Sequence, residues 1–156
     1  TIAKKKKLKG YNTDYHGFKK SIKPLLKDHH KKALILGTGG ASKAIAYALR
    51  SLKIEYDFVS RTADEFQYKY EELDASIFEE YTIIINTTPV GTHPNVEDCP
   101  NLDYSLFTKK HIAYDLIYNP EETAFLRKAK AQGAVTKNGY EMLVLQAEKA
   151  WKIWNE

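Results

Sequence analysis

A single cysteine, Cys99, stands in 156 residues. No disulfide can therefore close within the chain, and the composition fits a reducing, cytoplasmic compartment. No apolar run reaches the roughly 18 residues that a membrane-spanning helix needs, so no membrane contact is expected. The opening residues are basic and lack the apolar stretch of a signal peptide. His16, His29, His30, His93 and His111 keep no metal-ligand spacing with Cys, Asp or Glu, so no metal site is expected. There is no internal repeat, and no low-complexity stretch beyond a lysine cluster.

What is present points to one globular domain. Hydrophobic residues make up 43% of the chain, and a domain of this length buries about 70% of the surface its unfolded chain exposes. Basic residues number 24 and acidic residues 20, for a net charge of +4. Lys4, Lys5, Lys6, Lys7 and Lys9 account for much of the basic bias. Such a cluster suits nucleic acid or, more simply, a solvated sheet edge, which lysines protect. No basic stripe with interleaved aromatics follows it, and no nucleic-acid partner is expected.

The pattern of apolar residues predicts strands alternating with helices. Residues 2–8 read as a short strand or extended arm. A turn over 10–14 then leads into a helix on which Phe18, Ile22, Leu25 and Leu26 recur, with Thr13 or Asp14 as N-cap and Pro24 marking a kink or an end. Strands are predicted over 32–36, 55–60, 82–86, 111–117 and 134–137, and helices over 41–52, 64–73, 121–132 and 139–154. The His29–His30 pair reads as solvent-facing loop, and Trp151 and Trp154, three apart on the last helix, as packing residues. Short apolar strands alternating with helices imply crossover connections. The expected fold is a Rossmann-like, doubly wound α/β domain, with a mainly parallel sheet and helices on both faces.

The segment Gly37-Thr38-Gly39-Gly40-Ala41-Ser42 follows a strand and opens a helix. That is the context in which glycines permit a tight turn and let a pyrophosphate approach the N–H groups of the helix start. The third fingerprint position, usually Gly or Ala, is Ser42. No Gly-Lys-Ser/Thr ending is present, so the turn is not a P-loop. A glycine-rich turn without a ligand is the plainer alternative. Where NAD-binding domains carry a carboxylate for the ribose 2′-hydroxyl, this chain has Ser60-Arg61-Thr62. A carboxylate would repel a 2′-phosphate, whereas arginine offers it a charged fork, so NADP is favoured over NAD.

Six segments, in this order, are similar to those of the shikimate dehydrogenase family. They are GYNTD at 10–14 with Gly17-Phe18, the 37–42 turn, Ser60-Arg61-Thr62, NTTPVG at 86–91, DLIYNP at 115–120 with Thr123, and the segment from Gly139 to Gln146. The resemblance covers nearly the whole chain. It implies reduction of 3-dehydroshikimate to shikimate with NADPH, in aromatic amino-acid (chorismate) biosynthesis. It also implies a substrate domain before GYNTD that carries a catalytic lysine. Residues 1–156 would then be the NADP-binding domain, with 1–13 as arm and junction, able to bind cofactor but inactive alone.

The resemblance assigns Gly37, Thr38, Gly39, Gly40 and Ala41 to the pyrophosphate, and Ser60, Arg61 and Thr62 to the 2′-phosphate. Thr87, Leu116, Gly139 and Met142 would lie along the rest of the cofactor. Asp14, Tyr118 and Gln146 would line the substrate side, with Asp14 as the catalytic partner of the absent lysine. Two positions depart from the family: Ser60 stands where asparagine is common, and Glu65 where a second arginine is. A non-catalytic dinucleotide-binding module, or a quinate/shikimate enzyme using NAD or NADP, are the alternatives. A face left without its partner domain, around Phe18, Ile22, Trp151 and Trp154, would favour self-association.

Overall fold

The computed structural model describes the backbone of residues 2–4 and 8–10, and residues 12–156 in full. Lys5, Lys6, Lys7 and Tyr11 lie outside the described residues. The expected single arm over 2–8 is instead two strands, β1 (Ile2–Lys4) and β2 (Leu8–Gly10), paired antiparallel with Ala3 opposite Lys9. Pairing satisfies backbone groups that a lone arm would leave to solvent.

Helix α1 (Thr13–Ile22) follows. Its N-cap is neither Thr13 nor Asp14 but Asn12, whose side chain accepts from Tyr15 N at 3.1 Å. Pro24 ends the helix as expected: the chain passes into a 3-10 turn, Lys23–Leu25. Phe18 and Ile22 are wholly buried, which corrects their place on an exposed face.

Five parallel strands form the main sheet, in the order β4-β3-β5-β6-β7. These are β3 (Lys32–Leu36), β4 (Glu55–Val59), β5 (Ile83–Asn86), β6 (Ile112–Asp115) and β7 (Val135–Lys137). The chain steps from β3 outward to β4, then returns to place β5 on the other side of β3. Strand order therefore reverses between β3 and β5, and a crevice opens at their carboxyl ends. The pleat divides the core. Ala33, Ile35, Ile83, Ile85, Ile112 and Tyr114 meet Phe18, Ile45, Leu49 and Met142 on one face. Leu34, Leu36, Ile84 and Ala113 meet Phe78, Phe125 and Leu126 on the other. Helices α1, α2 (Gly40–Ser51) and α5 (Tyr140–Asn155) supply the first layer. Helices α3 (Ala75–Glu80) and α4 (Ala124–Ala131) supply the second. The fold is Rossmann-like, with helices on both faces.

Two helices differ from expectation. Residues 64–73 form no α-helix; Tyr70–Glu72 is a 3-10 turn. The edge strand β4 captures this segment, because Ser60 N donates to Tyr68 O at 3.0 Å and Tyr68 N to Phe58 O at 2.9 Å. The helix forms one segment later, where Asp74 accepts from Ile77 N at 3.0 Å. Helix α4 begins at Ala124 rather than 121, since Thr123 is its cap and accepts from Leu126 N at 3.3 Å.

His30 is buried, contrary to the solvent-facing reading. Its Nδ1 accepts from Lys27 N at 2.9 Å, and its Nε2 lies 3.0 Å from Lys110 O. His111 repeats the pattern, with Nδ1 accepting from Thr108 N at 3.0 Å and Nε2 at 2.7 Å from Phe78 O. An Nδ1 that accepts a backbone N–H holds no proton, so both rings are neutral in the fold. Burial, first among the causes, lowers both pKa values from 6.5. The unfolded chain thus binds more protons below about pH 6.5, and stability falls as pH falls through that value. Between pH 7.5 and pH 5.5 the urea midpoint of the parent is expected to fall relative to that of the double variant His30→Gln/His111→Gln, a comparison from which Asp115, whose raised pKa acts in the opposite sense, cancels. A difference between the two midpoints that is the same at both pH values would show that the two rings titrate normally.

Candidate functional site

The crevice is built from the ends of three neighbouring strands. Gly37 leaves β3 at φ +103, in the region that favours glycine, and a Cβ there would sit 2.9 Å from Thr87 Oγ1 and 3.0 Å from Thr88 Cγ2. Thr87 ties the two strand ends together, its hydroxyl donating to Leu36 O at 2.6 Å. Gly39 is the N-cap of α2 and offers no side-chain cap. A Cβ at Gly39 or Gly40 would meet nothing within 4 Å. The helix start therefore presents N–H groups to open space, which is what a pyrophosphate requires. Ser42, the departure from the fingerprint, is buried and turns inward, donating to Gly39 O at 2.6 Å.

A cleft of about 520 Å³ continues from this turn, lined by Ala41, Thr87, Leu116 and Tyr118 together with Thr88 and His93. Behind it lies a buried polar network. Asp115 accepts from Thr123 Oγ1 at 2.7 Å, from Ile117 N at 3.1 Å and from Asn86 Nδ2 at 3.2 Å. Burial pushes its carboxyl up to about 6, against the pull of these donors. Asn86 in turn accepts from Thr88 N at 3.0 Å and Thr88 Oγ1 at 2.6 Å. The loops after β5 and β6, which form the cleft wall, are thus held from beneath.

Gly139 closes the site on the α5 side. A Cβ there would lie 1.9 Å from Leu116 O, so only glycine lets the start of α5 approach the end of β6. Met142, one turn later, is buried, and its carbonyl oxygen lies 2.5 Å from where a Cβ on Gly17 would be. This crossing of α1 and α5 brings Thr13 Oγ1 to donate to Gln146 Oε1 at 3.1 Å. Asp14, beside Thr13, is exposed and is not used as a cap. Tyr118 is half exposed on the cleft rim. Ser60 is buried at the end of β4, and its hydroxyl accepts from Thr62 N at 3.2 Å. Arg61 is exposed and makes no ion pair among the described residues. It lies close enough to Tyr70 for its charge to oppose the rise that burial causes in that phenol.

Among curated proteins, the NADP(+) shikimate dehydrogenase of Caldanaerobacter subterraneus subsp. tengcongensis is 41% identical over 165 residues, covering 94% of this chain and 58% of its own. The shikimate dehydrogenase of Aquifex aeolicus superposes with a TM-score of 0.84 at 36% identity, over 99% of this chain and 60% of its own. By sequence and by fold, the chain is similar to about three fifths of these shikimate dehydrogenases. The shikimate 5-dehydrogenase of Thermus thermophilus, solved with NADP(H) and shikimate, gives a TM-score of 0.81 at 33% identity, over 98% of this chain and 60% of its own. No family model matches the chain. The chain spans about three fifths of the length of these shikimate dehydrogenases.

Sequence reasoning misses several residues of the cleft. Thr88, Pro89, Thr92, His93 and Asn119 line it; Thr88, Pro89 and Asn119 fall within the matching segments, yet of the loop after β5 only Thr87 is given a role in sequence. The available signal is the position of that loop after a buried strand, where every residue has access to the crevice. His93 lacks metal spacing, but that test is blind to cleft lining. Among the described residues no His/Cys/Asp/Glu group could hold a metal, and no helix is long and apolar enough to cross a membrane.

Proposed function

We propose that this chain is the NADP(H)-binding domain of a shikimate dehydrogenase that interconverts 3-dehydroshikimate and shikimate. The observation that carries the reading is the unobstructed Gly39–Gly40 helix start at the β3/β5 reversal, with the uncommitted Arg61 at the neighbouring strand end. NADPH, when bound, supplies the hydride. The residues of this chain do the rest of the holding. The α2 start neutralises the pyrophosphate, Arg61 with Ser60 and Thr62 receives the 2′-phosphate, and Thr38 and Ala41 flank the turn. Thr87 and Leu116, which line the cleft, with Gly139 and Met142 at the start of α5, would hold the nicotinamide half.

Gln146, which accepts from Thr13 across the α1–α5 crossing, Asp14 next to Thr13 in sequence, and Tyr118 on the rim are the residues that would meet the substrate. Adding a proton to the ketone oxygen requires a positioned donor, and Asp14, free of capping duty, orients one. That donor, a lysine in the resemblance, belongs to a further domain accounting for the remaining length of the relatives. This chain by itself then holds cofactor without turnover, in a reducing cytoplasm that suits free Cys99. Trp151 and Trp154, exposed on α5 instead of packed as their spacing suggests, mark the face that meets the further domain or, without it, another copy.

Cofactor selectivity tests the reading. A charge-assisted contact contributes roughly 1.5–3 kcal/mol, or about ten- to a hundredfold in affinity. NADPH should bind the chain more tightly than NADH by calorimetry, and Arg61→Ala should narrow the gap by about that factor. Equal affinities in the unmutated chain would sink the NADP assignment.

A further inference from the structure

Among the large apolar side chains exposed on the described surface, Phe66 is the most exposed, at 79%. An isolated exposed apolar residue needs no explanation by itself; its place in the fold does. Residues 61–67 form a closed loop on the carboxyl end of β4. Both feet of the loop are fixed to the strand, Ser60 N to Tyr68 O at 3.0 Å and Tyr68 N to Phe58 O at 2.9 Å. Within it, Phe66 N donates to Asp64 Oδ1 at 2.9 Å, and Gln67 N to Asp64 O at 3.2 Å, so the turn that presents Phe66 is ordered by its own hydrogen bonds. Arg61 stands at the first foot of the same loop. β4 lies directly beside β3, whose end carries the Gly37 turn. A dinucleotide whose pyrophosphate rests on that turn extends its adenosine half over the end of β4.

The loop is otherwise poor in groups for an adenine. Asp64 and Glu65 are anionic and exposed, and Arg61 is committed to the phosphate in the reading above. Phe66 is flanked in sequence by the polar Glu65 and Gln67, and a lone exposed ring does not by itself make a protein-docking surface. A flat, unpacked ring on this loop matches a flat heteroaromatic base. We propose that Phe66 stacks on the adenine of the bound cofactor and is a determinant of dinucleotide affinity independent of Arg61. This rests on the cofactor reading given above.

The test is calorimetry on the whole chain with NADPH, adenosine 2′,5′-bisphosphate and nicotinamide mononucleotide. Base–aromatic stacking removed by alanine substitution corresponds to a loss of about 5- to 100-fold. Phe66→Ala should weaken NADPH and adenosine 2′,5′-bisphosphate by a factor in that range and leave nicotinamide mononucleotide unchanged. Phe66→Trp should retain the affinity. The factor for Phe66→Ala should be equal at low and high salt, whereas that for Arg61→Ala should shrink as salt screens it. Because the ring is exposed, the melting temperature of Phe66→Ala should match the parent. NADPH binding to Phe66→Ala with the parent's affinity would overturn the adenine contact while leaving the cofactor site standing. Failure of the unmutated chain to bind NADPH would overturn both.

Discussion

Gly139→Ala is expected to cost about 3 kcal/mol or more of stability, at or beyond the upper end of what overpacking usually costs. Backbone strain is not the cause, since Gly139 has φ −83 and ψ 3, which alanine adopts freely. The cause is contact. The new methyl would lie 1.9 Å from Leu116 O and 2.5 Å from Leu116 C, and backbone cannot swing aside as a side chain does. Either the first turn of α5 or the end of β6 has to move. Leu116 also lines the cleft, so NADPH affinity should fall with stability. Gly40→Ala is the informative contrast. Its methyl meets nothing within 4 Å, and alanine is the better helix former by about 1 kcal/mol. That variant should be as stable as the parent or slightly more so, yet bind NADPH more weakly, because the methyl occupies the approach to the helix start. Urea unfolding and calorimetry on both variants decide the matter. A Gly139→Ala chain as stable as the parent would mean that α5 does not approach β6 so closely. Normal binding by Gly40→Ala would remove the pyrophosphate from this turn.

What is legible in the sequence is whatever depends on short-range pattern. Strands β3, β5 and β6 are buried on both faces and so read as continuous apolar runs, and the turn at Gly37 announces itself by its place between strand and helix. What depends on partners distant in the chain is not legible. Residues 64–73 have helical composition, but the open edge of β4 takes their backbone through Tyr68. His30 looks like loop because nothing local reveals that Lys110 O lies 3.0 Å from its ring. Phe18 and Ile22 are expected on an open face. Phe18 instead packs edge-on against Tyr114 at 4.9 Å, beneath the sheet. Trp151 and Trp154 share helical spacing with core residues, yet α5 turns them outward. At the site, Ala41, Thr87, Leu116 and Tyr118 converge on one cleft although they follow three separate strands. The resemblance names them; only the sheet order explains why they meet.

The buried network behind that cleft supplies the second large effect. Thr123→Val keeps the side-chain volume and removes the hydroxyl, which serves two partners at once. It caps α4 through Leu126 N, a role that contributes about 0.5–2 kcal/mol. It also donates to Asp115 Oδ2, and a buried acceptor deprived of its donor costs about 1–3 kcal/mol. Because one atom serves both partners, the two losses fall together, and about 2–4 kcal/mol is expected in urea unfolding at pH 7.5. The deficit should depend on pH in a defined sense. Asp115 has its folded pKa raised from 3.8 to about 6, so between those values the folded chain holds a proton that the unfolded chain has lost. Burying the carboxylate therefore destabilises the fold increasingly as pH rises from 3.8 to about 6, and the loss levels off above that value. The Thr123 hydroxyl is the foremost of the contacts that hold this pKa down, and without it the folded value rises further. The stability gap between parent and Thr123→Val should thus widen from pH 5 to pH 7.5. The histidine pair cancels from this comparison, since both chains carry it. A gap that is the same at both pH values would mean that Thr123 acts only as a helix cap, and that Asp115 does not depend on it for its charge.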